Sequence, residues 1–192
     1  MKVLSECKAL ESNIIRIRVK NIVKQVKDYL KTYSSAGMDT TDANRAGDSG
    51  DRRSTRGFAI YLGSNLISWT ARKQRTISRS SIEAEYKALA DTVAELTWLQ
   101  ALLNEIGIDL SSTPILWCDN LGVIYLSANP IFHARTKHVE IDYYFVLEKV
   151  AQGDLRVQHI STHDQIADIF TKPLTTPRFL FLRFKLHVVA RP

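Results

Sequence analysis

Several familiar structural devices are missing from this chain, and each absence narrows the field. Two cysteines, Cys7 and Cys118, lie too far apart in sequence to suggest a zinc site and are too few for a disulfide framework, which points to a reducing compartment. No apolar run approaches the roughly 18 residues that cross a bilayer. The N-terminus also lacks the apolar core of a signal peptide, so no membrane partner is expected. No internal repeat is visible.

What is present is ordinary globular material. Of the 192 residues, 45% are hydrophobic and 24% charged, enough for one well-cored domain with an appendage. The net charge of +6 is concentrated at one end: residues 1–35 carry a net of +5 and the remainder only +1. Within that balanced remainder, Arg52, Arg53 and Arg56 form one basic cluster, and Arg72, Lys73, Arg75 and Arg79 another. On charge alone, such clusters are solvated surface at least as readily as a nucleic-acid footprint.

The pattern along the chain predicts an α/β layer. Residues 13–31 space Ile14, Ile15, Val19, Ile22, Val23, Val26 and Leu30 at helical intervals between basic residues and predict an amphipathic helix. Thr32 to Gly50 is polar and reads as loop. Gly57–Gly63 and Leu66–Thr70, separated by Gly63-Ser64-Asn65, carry a hairpin signature. A helix is predicted from Ser81 to Ile106, with Ser80 and Glu83 as a capping box and Gly107 as its stop. Pro114–Cys118 then reads as a strand, Asn120–Gln152 as helices broken near Asn129-Pro130, Leu155–Ile160 as a strand, and Asp164 to before Pro173 as a short helix.

Four carboxylates sit at the edges of these elements. On the predicted long helix, Glu85 falls on the same stripe as Ile82, Leu89, Val93, Leu96 and Leu103. Glu83 is rotated about 200° away from it. A lone carboxylate on a core face is costly unless it is paired or binds a cation; otherwise it lies at the stripe's edge and reaches water. Asp119 ends a strand, where ligands gather in open α/β sheets, although an Asp before a helix is as often a cap. Asp168 has the plain reading of an exposed helical acid, and Asp42 that of a turn residue. Taken together, the four are the raw material of a two-metal site, which draws carboxylates from several elements onto hard cations.

The words around these acids carry a resemblance. DSGDRRSTRG (48–57), SRSSIEAEY (78–86), WCDN (117–120), HARTKHVEID (133–142) and ADIFTKPL (167–174) occur in order. The series resembles the C-terminal ribonuclease H region of copia-type retrotransposon pol polyproteins over about residues 42–186. The resemblance implies a ribonuclease H-like fold with a mixed five-stranded sheet flanked by helices. It also implies that Asp42, Glu85, Asp119 and Asp168 hold two Mg²⁺ (or Mn²⁺) ions and that the RNA strand of RNA–DNA hybrids is hydrolysed. His163 is loosely placed like a proton-shuttling histidine, and a loop histidine without a catalytic role is an equal alternative. Arg52, Arg53, Arg72, Lys73 and Arg75 are candidate phosphate contacts. The implied partners are an RNA–DNA hybrid and other pol segments such as reverse transcriptase. The implied setting is the cytoplasm, within a virus-like particle, or the nucleus.

On this reading, residues 1–40 are a remnant of the reverse transcriptase connection, 41–186 the ribonuclease H-like domain and 187–192 a tail. The chain is then a fragment of a polyprotein. Two departures qualify it. Where family members usually read SDADWAG, this chain has Thr41-Asp-Ala-Asn-Arg-Ala-Gly47, placing Asn44 at an acid position and Arg45 at an indole position. Thr32–Thr41 also lacks the alternation of the family's first strand, so that strand is expected to be eroded or deleted. The alternative function is accordingly a decayed copy that binds nucleic acid without cutting it.

Overall fold

The computed structural model describes residues 38–45, 52–108, 110, 112–129 and 140–186. The expected basic helix over 13–31, the tail, and most of the HARTKHVEID motif lie outside the described residues. Five strands form one sheet: β1 (Asp39–Asn44), β2 (Thr55–Leu62), β3 (Asn65–Lys73), β4 (Ile115–Cys118) and β5 (Arg156–His159). The strand order is β3-β2-β1-β4-β5. The β1–β2 and β2–β3 pairs are antiparallel, and the β1–β4 and β4–β5 pairs are parallel. The helices are α1 (Ser81–Glu105), α2 (Leu121–Ala128), α3 (Glu140–Ala151), α4 (Asp168–Thr171) and α5 (Thr176–Lys185). This is the mixed five-stranded sheet with flanking helices that the resemblance implied.

One expectation is overturned: the first strand is neither eroded nor deleted. β1 forms at the centre of the sheet, with Asp42 opposite Gly57 on β2 and Thr40 beside Trp117 on β4. The apolar alternation is missing because this strand is polar and buried, and Asp39, Thr41, Asp42 and Asn44 find partners inside the protein. Asp39 Oδ1 accepts the Tyr61 backbone N–H at 2.7 Å, the Thr92 hydroxyl donates to Thr41 at 3.1 Å, and Asn44 Nδ2 donates to the Thr171 carbonyl at 3.2 Å. The β-branched pair Thr40-Thr41 suits the pleat. Arg45, at the position where family members carry an indole, does not bring a charge into the core. It is exposed, and its guanidinium donates to the Arg79 carbonyl at 3.0 Å.

The long helix starts as the capping box predicts. Ser80 Oγ accepts from the Glu83 N–H at 3.1 Å, and Glu83 returns a bond to the Arg79 N–H at 2.8 Å. At the other end Gly107 takes a positive φ of 72°, which suits the chain reversal. The helix buries Tyr86, Leu89, Val93 and Leu96 against Phe58, Ile60 and Leu116 of the sheet, while Tyr143 and Val146 of α3 close the same core. Ile82, expected on the buried stripe, is 41% exposed, so burial along that face begins one turn later. On the opposite face Ala59, Tyr61, Ile166 and Leu186 form a smaller cluster, and there α4 packs on β2 and β1. Helix α5, which the sequence pattern did not indicate, follows α4 with Pro177 in its first turn. No described helix is long and apolar enough to cross a membrane.

Candidate active site

Each of the four acids comes from a different element, and local chemistry aims each one. Small residues bring helix and strand together: Ala43 of β1 packs on Ala84 and Ala88 of α1, next to Asp42 and Glu85. Asp119 follows β4 directly. The capping role open to it is taken by Asn120, whose Oδ1 accepts from the N–H groups of Gly122 at 2.9 Å and Val123 at 3.3 Å. The Asp119 carboxylate is instead met by Gln165, a fully buried amide that donates to Asp119 Oδ1 at 3.3 Å and to the Thr41 carbonyl at 3.0 Å. One side chain thus ties β1, the end of β4 and the approach to α4 together.

Asp168 opens α4 on the opposite face of β1 and is buried, not an exposed helical acid. Its position depends on a close approach. A Cβ on Gly57 would lie 2.6 Å from Phe170 Cβ and 2.9 Å from Thr171 Cγ2, so only glycine lets α4 sit this low on β2. Oxygens of Asp42, Asp119 and Asp168 thereby come within 4.8 Å of one another, and Glu85, Cys118 and Asp119 form a second such group. Asp119 belongs to both.

The two groups differ in electrostatics. Lys172 Nζ lies 2.6 Å from Asp168 Oδ1 and 3.3 Å from Asp42 Oδ1, and Arg178 Nη2 reaches Asp168 Oδ2 at 3.4 Å. The Thr171 hydroxyl donates to Asp42 Oδ2. Burial pushes the Asp42 carboxyl up from its ordinary value; Lys172 and Thr171 work against this, and the charges of Asp168 and Asp119 add to it. Burial acts to lower the Lys172 pKa, but the charges of Asp42 and Asp168 outweigh it and the net direction is upward. On the other side, Glu85 is pushed up to about 7, first by burial and then by the charges of Asp42 and Asp119, against a hydrogen bond with Asn120. Its Oε2 is buried with no hydrogen-bond partner among the described residues. The neighbouring Cys118 thiol is pushed up to about 12 by burial, so it stays protonated and leaves the oxygens as the donors.

His163 is not gathered into the acid group. Its side chain is 74% exposed, with Nδ1 3.4 Å from Asp164 and the ring 5.0 Å from that of Phe181 on α5. Its link to the site is Arg178, which donates to the carbonyls of His163 and Thr162 while touching Asp168. Arg52, Arg53, Arg72, Lys73 and Arg75 are all exposed, Arg52 with a positive φ of 53°. The sheet register puts Asp42, Gly57 and Ala71 in one row, with Arg72 and Lys73 in the next two rows beyond it. Those two cations therefore share the acids' end of the sheet. Sequence reasoning missed Lys172 and Arg178. For Lys172 a signal existed, because it stands four residues after Asp168, the spacing of a helical ion pair.

Comparisons with known proteins agree with this architecture. The chain is 49% identical over 152 residues to the retrovirus-related Pol polyprotein from transposon RE2 of Arabidopsis thaliana, a match covering 79% of this chain and 10% of that protein. It is 37% identical over 139 residues to the corresponding polyprotein from transposon TNT 1-94 of Nicotiana tabacum, covering 72% and 10%. The chain thus spans about a tenth of the length of the curated relatives it matches. Among solved structures, LC11-RNase H1 isolated from compost superposes with a TM-score of 0.51 at 16% identity, covering 70% of this chain and 91% of that one, a likeness of fold. No family model matches.

Proposed function

We propose that this chain, which belongs to the ribonuclease H region of the copia-type, retrovirus-related Pol polyproteins, hydrolyses the RNA strand of RNA–DNA hybrids. The observation that carries the reading is the convergence of Asp42, Asp119 and Asp168, from three elements distant in sequence, with oxygens within 4.8 Å of one another. Their chemistry fits divalent cations. The donors are hard carboxylate oxygens, and the buried Oε2 of Glu85 is an acceptor without a donor among the described residues. Asp42, Asp119 and Asp168 would hold one ion and Glu85 with Asp119 a second. When bound, Mg²⁺ or Mn²⁺ supplies the activation of water and the neutralisation of charge on the phosphate and the departing oxygen.

The remaining work falls to the protein. Thr171 and Gln165 fix the oxygens of Asp42 and Asp119 so that little reorganisation is needed when charge arrives. Arg72 and Lys73, in the rows beyond Asp42, would meet the backbone of a duplex, with Arg52, Arg53 and Arg75 as further phosphate contacts. Recognition through phosphates and 2′-hydroxyls needs no sequence preference. His163, on an exposed loop beside the site, is the group available to carry a proton. The polyprotein relatives support other pol segments as the chain's covalent neighbours.

The test is cleavage of an end-labelled RNA–DNA hybrid by the purified protein with Mg²⁺, beside the Asp119→Asn variant. Removing the carboxylate common to both groups should cost on the order of a hundred- to a thousandfold, the scale of losing one preorganised electrostatic stabiliser. Salt-dependent hybrid binding without turnover would identify a copy that binds but does not cut. That reading was motivated by Asn44, Arg45 and a missing first strand; of the three, the strand is formed and Arg45 is exposed, while Asn44 still stands at the acid position.

A further inference from the structure

The acid site holds an internal cation that the proposed chemistry does not use. Lys172 follows the last residue of α4, and its ammonium bridges Asp168 Oδ1 at 2.6 Å and Asp42 Oδ1 at 3.3 Å. These carboxylates are almost wholly enclosed, with side-chain exposures of 6% and 2%, whereas that of Lys172 is 32% exposed. Two like charges so buried repel each other and have lost their water, so without a cation between them the fold is penalised. The lysine relieves that penalty from the solvent side, on a flexible stem able to swing outward. Arg178 cannot make the same movement cheaply, because its guanidinium is also committed to the carbonyls of Thr162 and His163.

We propose that Lys172 is the counter-ion of these acids whenever no metal is bound: its ammonium competes with divalent cations for the oxygens of Asp42 and Asp168 and withdraws when one binds. The inference rests on the reading of these acids as metal ligands. It adds that metal loading is an exchange of one cation for another, so that the protein keeps its fold without metal and binds metal only above a threshold that Lys172 sets. The exchange follows because an ammonium and a divalent ion held at the same carboxylate oxygens repel each other.

Mn²⁺ binding followed by electron paramagnetic resonance tests this in the full chain. Lys172→Met, which keeps the stem and removes the charge, should tighten Mn²⁺ binding about tenfold, ~1.4 kcal/mol, and should melt earlier than the wild type in EDTA. Amine acylation of the wild type, read by mass spectrometry, gives a second measure that needs no variant to fold. Labelling of Lys172 should rise as Mn²⁺ saturates, and should stay flat in Asp119→Asn. Unchanged or weaker Mn²⁺ affinity in Lys172→Met, or unchanged Lys172 labelling while Mn²⁺ binds the wild type, would overturn the inference and leave the metal reading standing. Failure of the wild type and Lys172→Met alike to bind Mn²⁺ would overturn both.

Discussion

The two halves of the acid site meet at Asp119 and are built on opposite principles. On the α4 side, Asp42 and Asp168 have Lys172, Arg178 and Thr171 around them, so their charge is balanced by the protein itself. On the α1 side, Glu85 has no cation in contact and one oxygen without a partner among the described residues, and a carboxyl pushed up to about 7 chiefly by burial. The first half is stabilised by charge and the second by a retained proton. A cation entering the first must displace a side chain, and one entering the second must displace a proton. The site is therefore preorganised in two currencies, and perturbations should separate them.

The largest effect is expected where backbone geometry supports the charged half. Gly57→Ala places a methyl 2.6 Å from Phe170 Cβ, an atom fixed to the backbone of α4. The overpacking should cost about 1–3 kcal/mol, each kcal/mol lowering the melting temperature by roughly 2–4 °C in a chain of this size. It should also lift α4 and weaken Mn²⁺ binding. A variant that melts and binds as the wild type does would show that α4 is not held by this contact.

A carboxylate on the same strand, three residues before Asp42, sharpens the comparison. Asp39 is buried, has the Tyr61 N–H at 2.7 Å, and is pushed up to about 7 by burial against that hydrogen bond. Its folded-state value lies above the ordinary 3.8, so the folded protein holds the proton more tightly and loses stability as pH rises from about 4 to about 7. Asp39→Asn removes that penalty but buries an amide with unmet donors, so it should gain on the order of 1 kcal/mol above pH 7 and lose a similar amount below pH 4. Thermal melts across that range check the crossover, and a difference that keeps one sign at every pH contradicts it.

Glu85→Gln should give a smaller shift of the same sign. Glu85 is more exposed than Asp39 and its value rises from 4.5 to about 7. In EDTA the variant should therefore melt a few degrees higher than the wild type above pH 7 and equally below pH 4.5. With Mn²⁺ present the order should reverse, because the metal-binding oxygen has gone. Wild-type metal affinity should likewise increase as pH rises through about 7, where Glu85 gives up its proton.

Much of this was legible in the residues because the signals were local or motif-bound. The capping box at Ser80 and Glu83, the Gly63-Ser64-Asn65 turn and the Glu85 side of α1 could be placed from spacing alone. Motif order placed Asp119 and Asp168, which spacing left ambiguous between capping, exposure and ligation. The first strand was illegible for a physical reason. A central strand flanked by strands on both sides normally announces itself by apolar residues, whereas β1 substitutes hydrogen bonds from Tyr61, Thr92 and Thr171, residues 22 to 129 positions away. No window along the sequence contains those partners. Lys172 was overlooked for the opposite reason: its i,i+4 spacing to Asp168 was in plain view, but its contact with Asp42 exists only once β1 and α4 are packed together.

The most direct test of the central claim is the number of Mn²⁺ ions each chain binds, counted by electron paramagnetic resonance at pH 8. The account predicts two for the wild type, one for Glu85→Gln and none at the same concentration for Asp119→Asn, because Asp119 serves both halves. Two ions in Asp119→Asn, or one ion in the wild type that Glu85→Gln leaves unchanged, would contradict it.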